Sequence, residues 1–308
     1  YNYKNEIKID KQSSLTLLNN ALATGGFALE ISKNYKFIKP LIIYNYFSKN
    51  LKESIINNKN SIILNDNSEL TVINYIDDAS NDNFMTNTID NIKIKSKASL
   101  TNIFINNSRC NGYFYRYIKN ILEKESSCDN YLLSTGLKFN KLDIEINLSE
   151  ENSRSSIFSA LNLIGLEHQE IKTRINHNAP NCQSYQKVKN VLNDQSKGIY
   201  QGKIFVKSIA QKTDAYQLSK ALILNDKSEF DAKPELEIYA DDVKCSHGST
   251  SGSIDLDSIH YLKSRGIPEQ EAIKMLINGF LNEVLEKLED LKLKKFLLKK
   301  LESQINGH

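Results

Sequence analysis

Five side chains with chemical potential sit close together in this chain: Asp241, Asp242, Lys244, Cys245 and His247. They follow a proline, apolar residues and carboxylates (Pro234 to Tyr239) in the two-residue alternation of a half-buried strand. A thiol and an imidazole two positions apart on a strand share one face, and both are ligands for transition metals. On residue types alone a packing role fits them as well, because cysteine is often buried as a small hydrophobe and one histidine has many uses. Two ligands do not complete a site. Iron-sulfur clusters favour thiolates, with imidazole an occasional substitute, and the other cysteines, Cys110, Cys128 and Cys182, are scattered without a CxxC pair. Neither a zinc knuckle nor a disulfide framework is indicated, and a reducing compartment fits better. Any cluster held by Cys245 or His247 therefore needs ligands from a second chain. The other thiols are read as inert.

The remaining candidates are weaker. Asp241 and Asp242, with Lys244, define an alternative of another class, a calcium-assisted β-helix enzyme acting on carbohydrate. Adjacent strand residues face opposite ways, however, and no third acidic ligand group is evident. His177, in INHNAPNC, is read as a structural residue at a corner fixed by Pro180. His168 and His260 lie in polar surroundings. The chain has no catalytic triad, dinucleotide fingerprint or GxxxxGK[ST] loop, so nucleotide hydrolysis would belong to a partner.

The elements that must position these residues are short strands. Apolar runs recur at 27–31, 41–44, 61–64, 70–73, 92–94 and 100–105, separated by Asn, Asp, Ser and Gly. Further on, apolar centres near Ile175, Val191, Val206, Ile223 and Ile238 fall about 15 to 17 residues apart, a repeat that suggests stacked rungs. Sandwich turns would come more often, and no helices intervene for a doubly wound fold. The expected fold is mainly β: a right-handed parallel β-helix, or solenoid, with Asn and Ser at corners that need left-handed backbone, followed by a C-terminal α-helical domain. One helical insertion is expected at Tyr113 to Lys124, from the spacing of Tyr113, Tyr117, Ile118 and Ile121. After Gly252, Asp255 or Asp257 caps a helix ending before Gly266, and Pro268 opens another. The stripe Ile277, Leu281, Val284, Leu285, Leu288, Leu291, Leu298 and Leu301 either folds back on the β-core or docks a partner. Lys292, Lys294, Lys295, Lys299 and Lys300 read as a solvated face. The domains are 1–14, a remnant of an N-terminal region; 15–252, the β-helix core; and 253–308, the helical domain.

Bulk properties narrow the class. The 308 residues, 40% apolar, suffice for a sizeable core. Forty basic against thirty-seven acidic side chains leave +3, which gives no reason to expect nucleic acid. No run of about eighteen apolar residues predicts a membrane span, and the charged start YNYKNEIKID is unlike a signal peptide. The missing initial Met is read as the mark of a fragment or processed form. The abundance of Asn, Ile and Lys is read as genome bias.

Lys233 to Gly248 reads KPELEIYADDVKCSHG, and within the longer run from Gly202 to Gly252 it resembles the C-terminal core of the SufB/SufD family of iron-sulfur cluster assembly scaffolds. The sixteen residues match the SufD-type pattern K-P-x-L-E-I-x-A-D-D-V-K-C-S-H-G at every fixed position. SufB-type members have L-E-H-E-A near Lys244 to Ser249 and a cysteine where Leu218 stands here. Leu17 to Pro40 and Gly266 to Gly279 are similar to the family's entry segment and C-terminal helical segment, and His-x-Ala-Pro recurs in both branches.

The resemblance implies a non-enzymatic scaffold subunit of a SufBCD complex, in a cytoplasm or a plastid stroma. His247 and Cys245 would lie at the interface with a SufB-like subunit, where a transient cluster forms. His247 would be a metal ligand shared across that interface. Gly266, Ile267, Ala272, Met275, Leu276, Gly279 and Phe280 would contact SufC-like ATPase subunits. No cofactor is expected to stay on the lone chain, and a homodimer through the same edge is expected in isolation. Within the family, the rival is a SufB-like protein that carries the cluster itself.

Overall fold

A parallel strand cannot return to its neighbour by a tight turn, and this chain solves the problem by coiling. The computed structural model describes residues 13–48, 50–78 and 82–306, with backbone alone at 77–78 and 107–110. The strands β1 (Ala28–Ile31), β3 (Ile55–Leu64), β5 (Met85–Ile94), β9 (His168–His177), β11 (Lys197–Val206) and β13 (Glu229–Ile238) lie in one sheet. A second contains β2 (Leu41–Phe47), β4 (Glu69–Asp78), β8 (Arg154–Leu163), β10 (Gln183–Leu192), β12 (Thr213–Ile223) and β14 (Val243–Ser253). The long strands β6 (Ser99–Leu122) and β7 (Ser127–Leu148) bend round an edge and serve both sheets. All pairings are parallel, giving a β-solenoid of about seven turns. The 15-to-17-residue spacing in the sequence is thus half a turn.

One corner repeats on every turn. Asn34, Asn67, Lys97, Glu125, Asn152, Asn181 and Lys212 all have φ between 57° and 62° or close to it, the left-handed region. Each donates its backbone N–H to a carbonyl of the next turn, from Asn34 to Asp66 (2.9 Å) through Lys97 to Lys124 (2.9 Å) to Asn181 and Gln211 (2.9 Å). A small buried residue follows each of the last six: Ser68, Ala98, Ser126, Ser153, Cys182 and Thr213. Where that residue is Ser or Thr, its hydroxyl donates three residues back, as from Ser126 to Glu123 O (2.6 Å) and from Thr213 to Ala210 O (2.9 Å). Cys182 occupies one place in this column, which explains its burial without any redox role. Like residues also stack between turns: Tyr131, Phe158, Tyr185 and Tyr216 run up the outer face with ring centroids 4.9, 5.7 and 5.3 Å apart.

The expected helix at Tyr113 to Lys124 is not formed; those residues up to Leu122 continue β6. Phe114, Ile118 and Leu122 point into the coil, whereas Tyr113, Tyr115 and Tyr117 face outward. A four-residue step that suggests a helix also keeps one face of a strand, and the aromatic and β-branched content favours the strand. The coil begins at Ala28 rather than at 15, because Ser14–Leu22 forms helix α1, capped by Ser13. Asn19 fixes α1 to the outer face by donating to Asn58 O (3.0 Å) and Asn87 O (2.6 Å). Residues 1–12 of the expected remnant lie outside the described residues.

After β14 come α2 (Leu256–Ser264), capped by Asp255, and α3 (Glu269–Asn282), opened by Pro268; a 3₁₀ turn at Glu283–Leu285 and α4 (Leu291–Asn306) follow. Ile277, Leu281, Val284, Leu285, Leu288, Leu293, Leu297 and Leu301 pack on outward-facing Ile73, Ile103, Tyr131, Leu133 and Phe158 of the second sheet. The apolar stripe therefore folds back on the chain's own core, with Leu298 partly buried and Leu291 exposed as the exception. Lys187 and Lys189 of β10 reinforce it: Lys189 Nζ donates to Phe280 O (2.9 Å) and pairs with Glu283, and Lys187 Nζ donates to Glu283 O (3.3 Å) and Glu286 (3.2 Å). Two ammonium groups at the carboxyl end of α3 also complement its dipole. The lysine row of α4 is not uniformly solvated, since Lys300 Nζ donates to Tyr75 Oη (3.3 Å) and Lys294 Nζ to Glu286 O (3.2 Å).

The corner column gives a direct test. Lys97, at φ 59°, bears a Cβ strained by left-handed backbone. Lys97→Gly is expected to raise stability by up to about 1 kcal/mol, and Lys97→Val to lower it by about 1–2 kcal/mol. Urea unfolding followed by circular dichroism measures both.

Candidate functional site

Residues inside the coil follow the alternation of its strands. On β12, Ala215, Gln217 and Ser219 face inward and are fully buried, because β14 covers them on the next turn. Their register partners on β14 are Cys245, His247 and Ser249. No further turn covers these. Among the described residues β14 pairs only with β12, and β13 only with β11, so both strands of the last turn leave one edge unpaired. His247 is therefore an inward-facing residue that is exposed because the coil stops. Cys245, on the same face, is half-buried against Ile204, Val206, Ala210, Ala215 and Ala240. Burial, and then the charge of Asp214, push its thiol above the usual cysteine range. It is the protonated thiol at neutral pH.

Beneath His247 lies a polar floor that sequence reasoning missed. Gln217 Nε2 donates to Gly202 O (3.3 Å), and Gln186 Nε2 donates to Gln217 Oε1 (3.3 Å). Gln186 Oε1 in turn accepts from Thr173 Oγ1 (2.6 Å) and Tyr200 Oη (3.1 Å). All four side chains are buried. Gly202 makes room for them, since a Cβ there would lie 2.4 Å from Tyr200 Oη and 2.5 Å from Gln217 Nε2. The signal in the sequence was the pair of glutamines at inward positions of two successive turns, Gln186 and Gln217, aligned with His247. Satisfied buried networks of this kind are rigid, so the imidazole stands on a fixed base.

The other sequence candidates separate clearly. Asp241 and Asp242 occupy the exposed corner between β13 and β14, where Asp242 N–H donates to Gln211 Oε1 (2.9 Å) and Asp242 O accepts from Lys212 N–H (2.5 Å). Among the described residues no three His, Cys, Asp or Glu side chains converge as a metal cage would require. His177 is sealed in the coil, with Nε2 2.9 Å from Ser184 Oγ and Nδ1 3.5 Å from Thr213 Oγ1. Burial lowers its pKa to about 4, so it is a neutral structural residue. His168 stacks on Phe139 at 5.1 Å, and burial lowers its pKa as well. Lys197, Glu170, Lys141 and Glu229 surround it, so its setting is polar on one side and aromatic on the other. His260 is exposed on α2. Cys128 is fully buried, and the Cys110 side chain lies outside the described residues.

The helical candidates divide by face. Gly266, at φ 86°, ends α2 in the left-handed conformation that glycine tolerates and is exposed, as are Met275 and Gly279 on α3. Ile267 and Leu276 are half-buried, and Phe280 lies with its ring 4.2 Å from Lys189 Nζ. Ala272 is fully buried and serves the helix's own packing. The surface this segment can offer is thus Gly266, Met275 and Gly279, with Leu256 and Tyr261 also exposed nearby on α2.

These features define a parallel β-solenoid whose last turn has strand edges unpaired among the described residues, with Cys245 and His247 at its rim. The chain belongs to the SufB/SufD family of iron-sulfur cluster assembly proteins: residues 46–280 match the family described as SUF system FeS cluster assembly, SufBD core domain. It is similar to the iron-sulfur cluster assembly protein SufD of Escherichia coli K12, with 28% identity over 293 residues, 94% of this chain and 69% of that protein. The SufD of Bacillus subtilis 168 is 27% identical over 309 residues, 99% of this chain and 70% of that protein. A SufBD family protein of Synechocystis sp. PCC 6803 is 25% identical over 291 residues, 91% of this chain and 64% of its own length. The SufD-type reading of Lys233 to Gly248 is borne out by these relatives. Among the described residues no helix is long and apolar enough to cross a membrane.

Two measurements test the site's electrostatics. A histidine held neutral in the fold takes up its proton on unfolding. The stabilisation from His177 is therefore full above pH 6.5 and is lost as the pH falls from 6.5 toward about 4. The loss is expected to reach about 3 kcal/mol, and His177→Gln should flatten this part of the pH dependence of the urea midpoint relative to the native chain. For the thiols, iodoacetamide at pH 8 should modify Cys245 more slowly than free cysteine, with the rate rising as pH increases. Cys128 and Cys182 should react only in denaturant; peptide mass mapping resolves the three.

Proposed function

We propose that this chain is the SufD-like scaffold subunit of an iron-sulfur cluster assembly complex, and that its open rim forms half of the site where the cluster is built. The observation that carries this reading is His247: an inward-facing imidazole exposed by the end of the coil, on a strand whose outer edge has no partner among the described residues. An unpaired parallel edge is a template for strand addition. A SufB-like subunit adding its own strands there would turn the face bearing Cys245, His247 and Ser249 into the wall of a closed chamber.

The chemistry available to this chain is limited and specific. His247 supplies one nitrogen ligand to iron as cargo. Cys245 supplies a second ligand only if the iron displaces its proton, because burial favours the thiol. The remaining ligands must come from the partner, so the lone chain holds no stable cluster. Gln217 and Gln186 fix the strand below and keep the imidazole from collapsing into the coil. The complex is non-enzymatic at this subunit; nucleotide hydrolysis belongs to SufC-like subunits, which dock on Gly266 after α2 and on the exposed face of α3 at Met275 and Gly279. Without partners the same edge supports a homodimer. The site of action is the cytoplasm, or the stroma in a plastid-bearing source.

The test is reconstitution. Mixed with SufB-like and SufC-like subunits, the chain is expected to enter one complex of defined mass in light scattering. His247→Ala should leave that mass unchanged and remove most cluster delivery to an apo-ferredoxin. Failure to form the complex would refute the scaffold reading, and unchanged delivery by His247→Ala would remove the imidazole from the site. A stable visible chromophore on the lone chain after anaerobic loading would instead favour a cluster-carrying, SufB-like role.

A further inference from the structure

The first turns of the coil enclose a cavity of about 350 Å³, a size suited to a small-molecule site. It lies inside the solenoid, between the two sheets and several turns from His247. One wall is a column of polar residues in register on three neighbouring strands: Asn58 of β3, Thr88 of β5 and Arg116 of β6. Thr86 adds a second hydroxyl. The other sheet contributes apolar surface from Phe47, Phe104 and Leu132. The exposed residues Tyr46 and Ser48 line its outer end.

Arg116 is the unusual member. Its side chain is only 16% exposed, its Nε lies 3.6 Å from an Asp90 carboxylate oxygen, and its guanidinium sits 5.0 Å from the centroid of the Phe104 ring. Asn60 Nδ2 donates to the other Asp90 oxygen at 2.7 Å, so the Arg116 charge is offset along one edge only. Among the described residues no hydrogen bond reaches the terminal guanidinium nitrogens, the Thr86 and Thr88 hydroxyls or the Asn58 amide. Polar groups that face an interior cavity in this state are satisfied by water or a ligand. Each of these groups can donate, the guanidinium can only donate, and the group that best matches a free guanidinium edge is a carboxylate, which accepts two parallel N–H bonds.

We propose that this cavity binds a small monocarboxylate with an apolar body, its carboxylate against Arg116, Thr88 and Asn58 and its body between Phe47, Phe104 and Leu132. The site is independent of the rim. Sodium octanoate, titrated into the purified full chain by calorimetry, is the probe. Saturable binding at one site is expected, with a raised unfolding temperature. The double variant Arg116→Met, Asp90→Leu removes the ion pair together and should weaken binding about tenfold or more. Thr88→Val, which keeps shape and leaves the ion pair intact, should weaken it severalfold and decides the matter if the double variant fails to fold. No saturable binding to the native chain, or unchanged affinity in the variants, would overturn the proposal. Octanol binding as tightly as octanoate would overturn the carboxylate assignment.

Discussion

Every strand of a parallel coil satisfies its backbone from the turns on either side, and the last turn has a neighbour on one side only. That single constraint organises the molecule. The corner column from Asn34 to Lys212 passes one N–H bond from turn to turn, and the ladders of both sheets do the same along the strands. At β13 and β14 the ladder ends with donors and acceptors facing outward, in the same turn that carries Cys245 and His247. The chemistry of the rim and its capacity for joining another chain therefore have one cause. Had the coil continued for one more turn, His247 would be as buried as Gln217 below it.

The coil interior differs from a plain hydrophobic core. Asn74 donates to Asn102, Asn140 to Gln169, and Gln186 to Gln217, each bond crossing from one turn to another. Side chains stacked at strand spacing can find one another in this way, although both amide atoms of Asn120 and of Asn190 are buried without a partner among the described residues. The asparagine content read from composition as genome bias has structural uses here, in these ladders and at the left-handed corners Asn34, Asn67, Asn152 and Asn181. Helix packing follows a similar economy. Lys187 and Lys189 are buried, yet their charges meet Glu283, Glu286 and the carbonyls that end α3.

Much of this was legible in the chain itself. The alternation around Pro234 to Tyr239, the half-turn spacing of apolar centres and the helix signals at Asp255, Gly266 and Pro268 all have counterparts in the structure, because each reflects local backbone chemistry. The helix expected at Tyr113 to Lys124 failed because a four-residue step is common to a helix face and a strand face; the aromatic and β-branched content and the pairing with β5 and β7 decide for the strand. At the rim, the shared face of Cys245 and His247 could be read from their spacing. The floor of Gln186, Tyr200, Gly202 and Gln217 could not, since a search for apolar alternation passes over polar inward positions. The pairs Asn67-Ser68, Glu125-Ser126, Asn152-Ser153 and Lys212-Thr213 were available as a full-turn repeat, hidden by the freedom of the left-handed site to accept Asn, Lys or Glu.

The corner column also defines the unit from which the coil is built. Between Asn152 and Asn181, or Asn181 and Lys212, the loops absorb differences of a few residues while the strands keep their pairing. One whole interval runs from an equivalent corner to an equivalent corner and so makes up one layer, while the helices span several layers of the second sheet. The distance between the two ends of the coil is thus set in discrete steps of one layer, independently of the side chains at its rim.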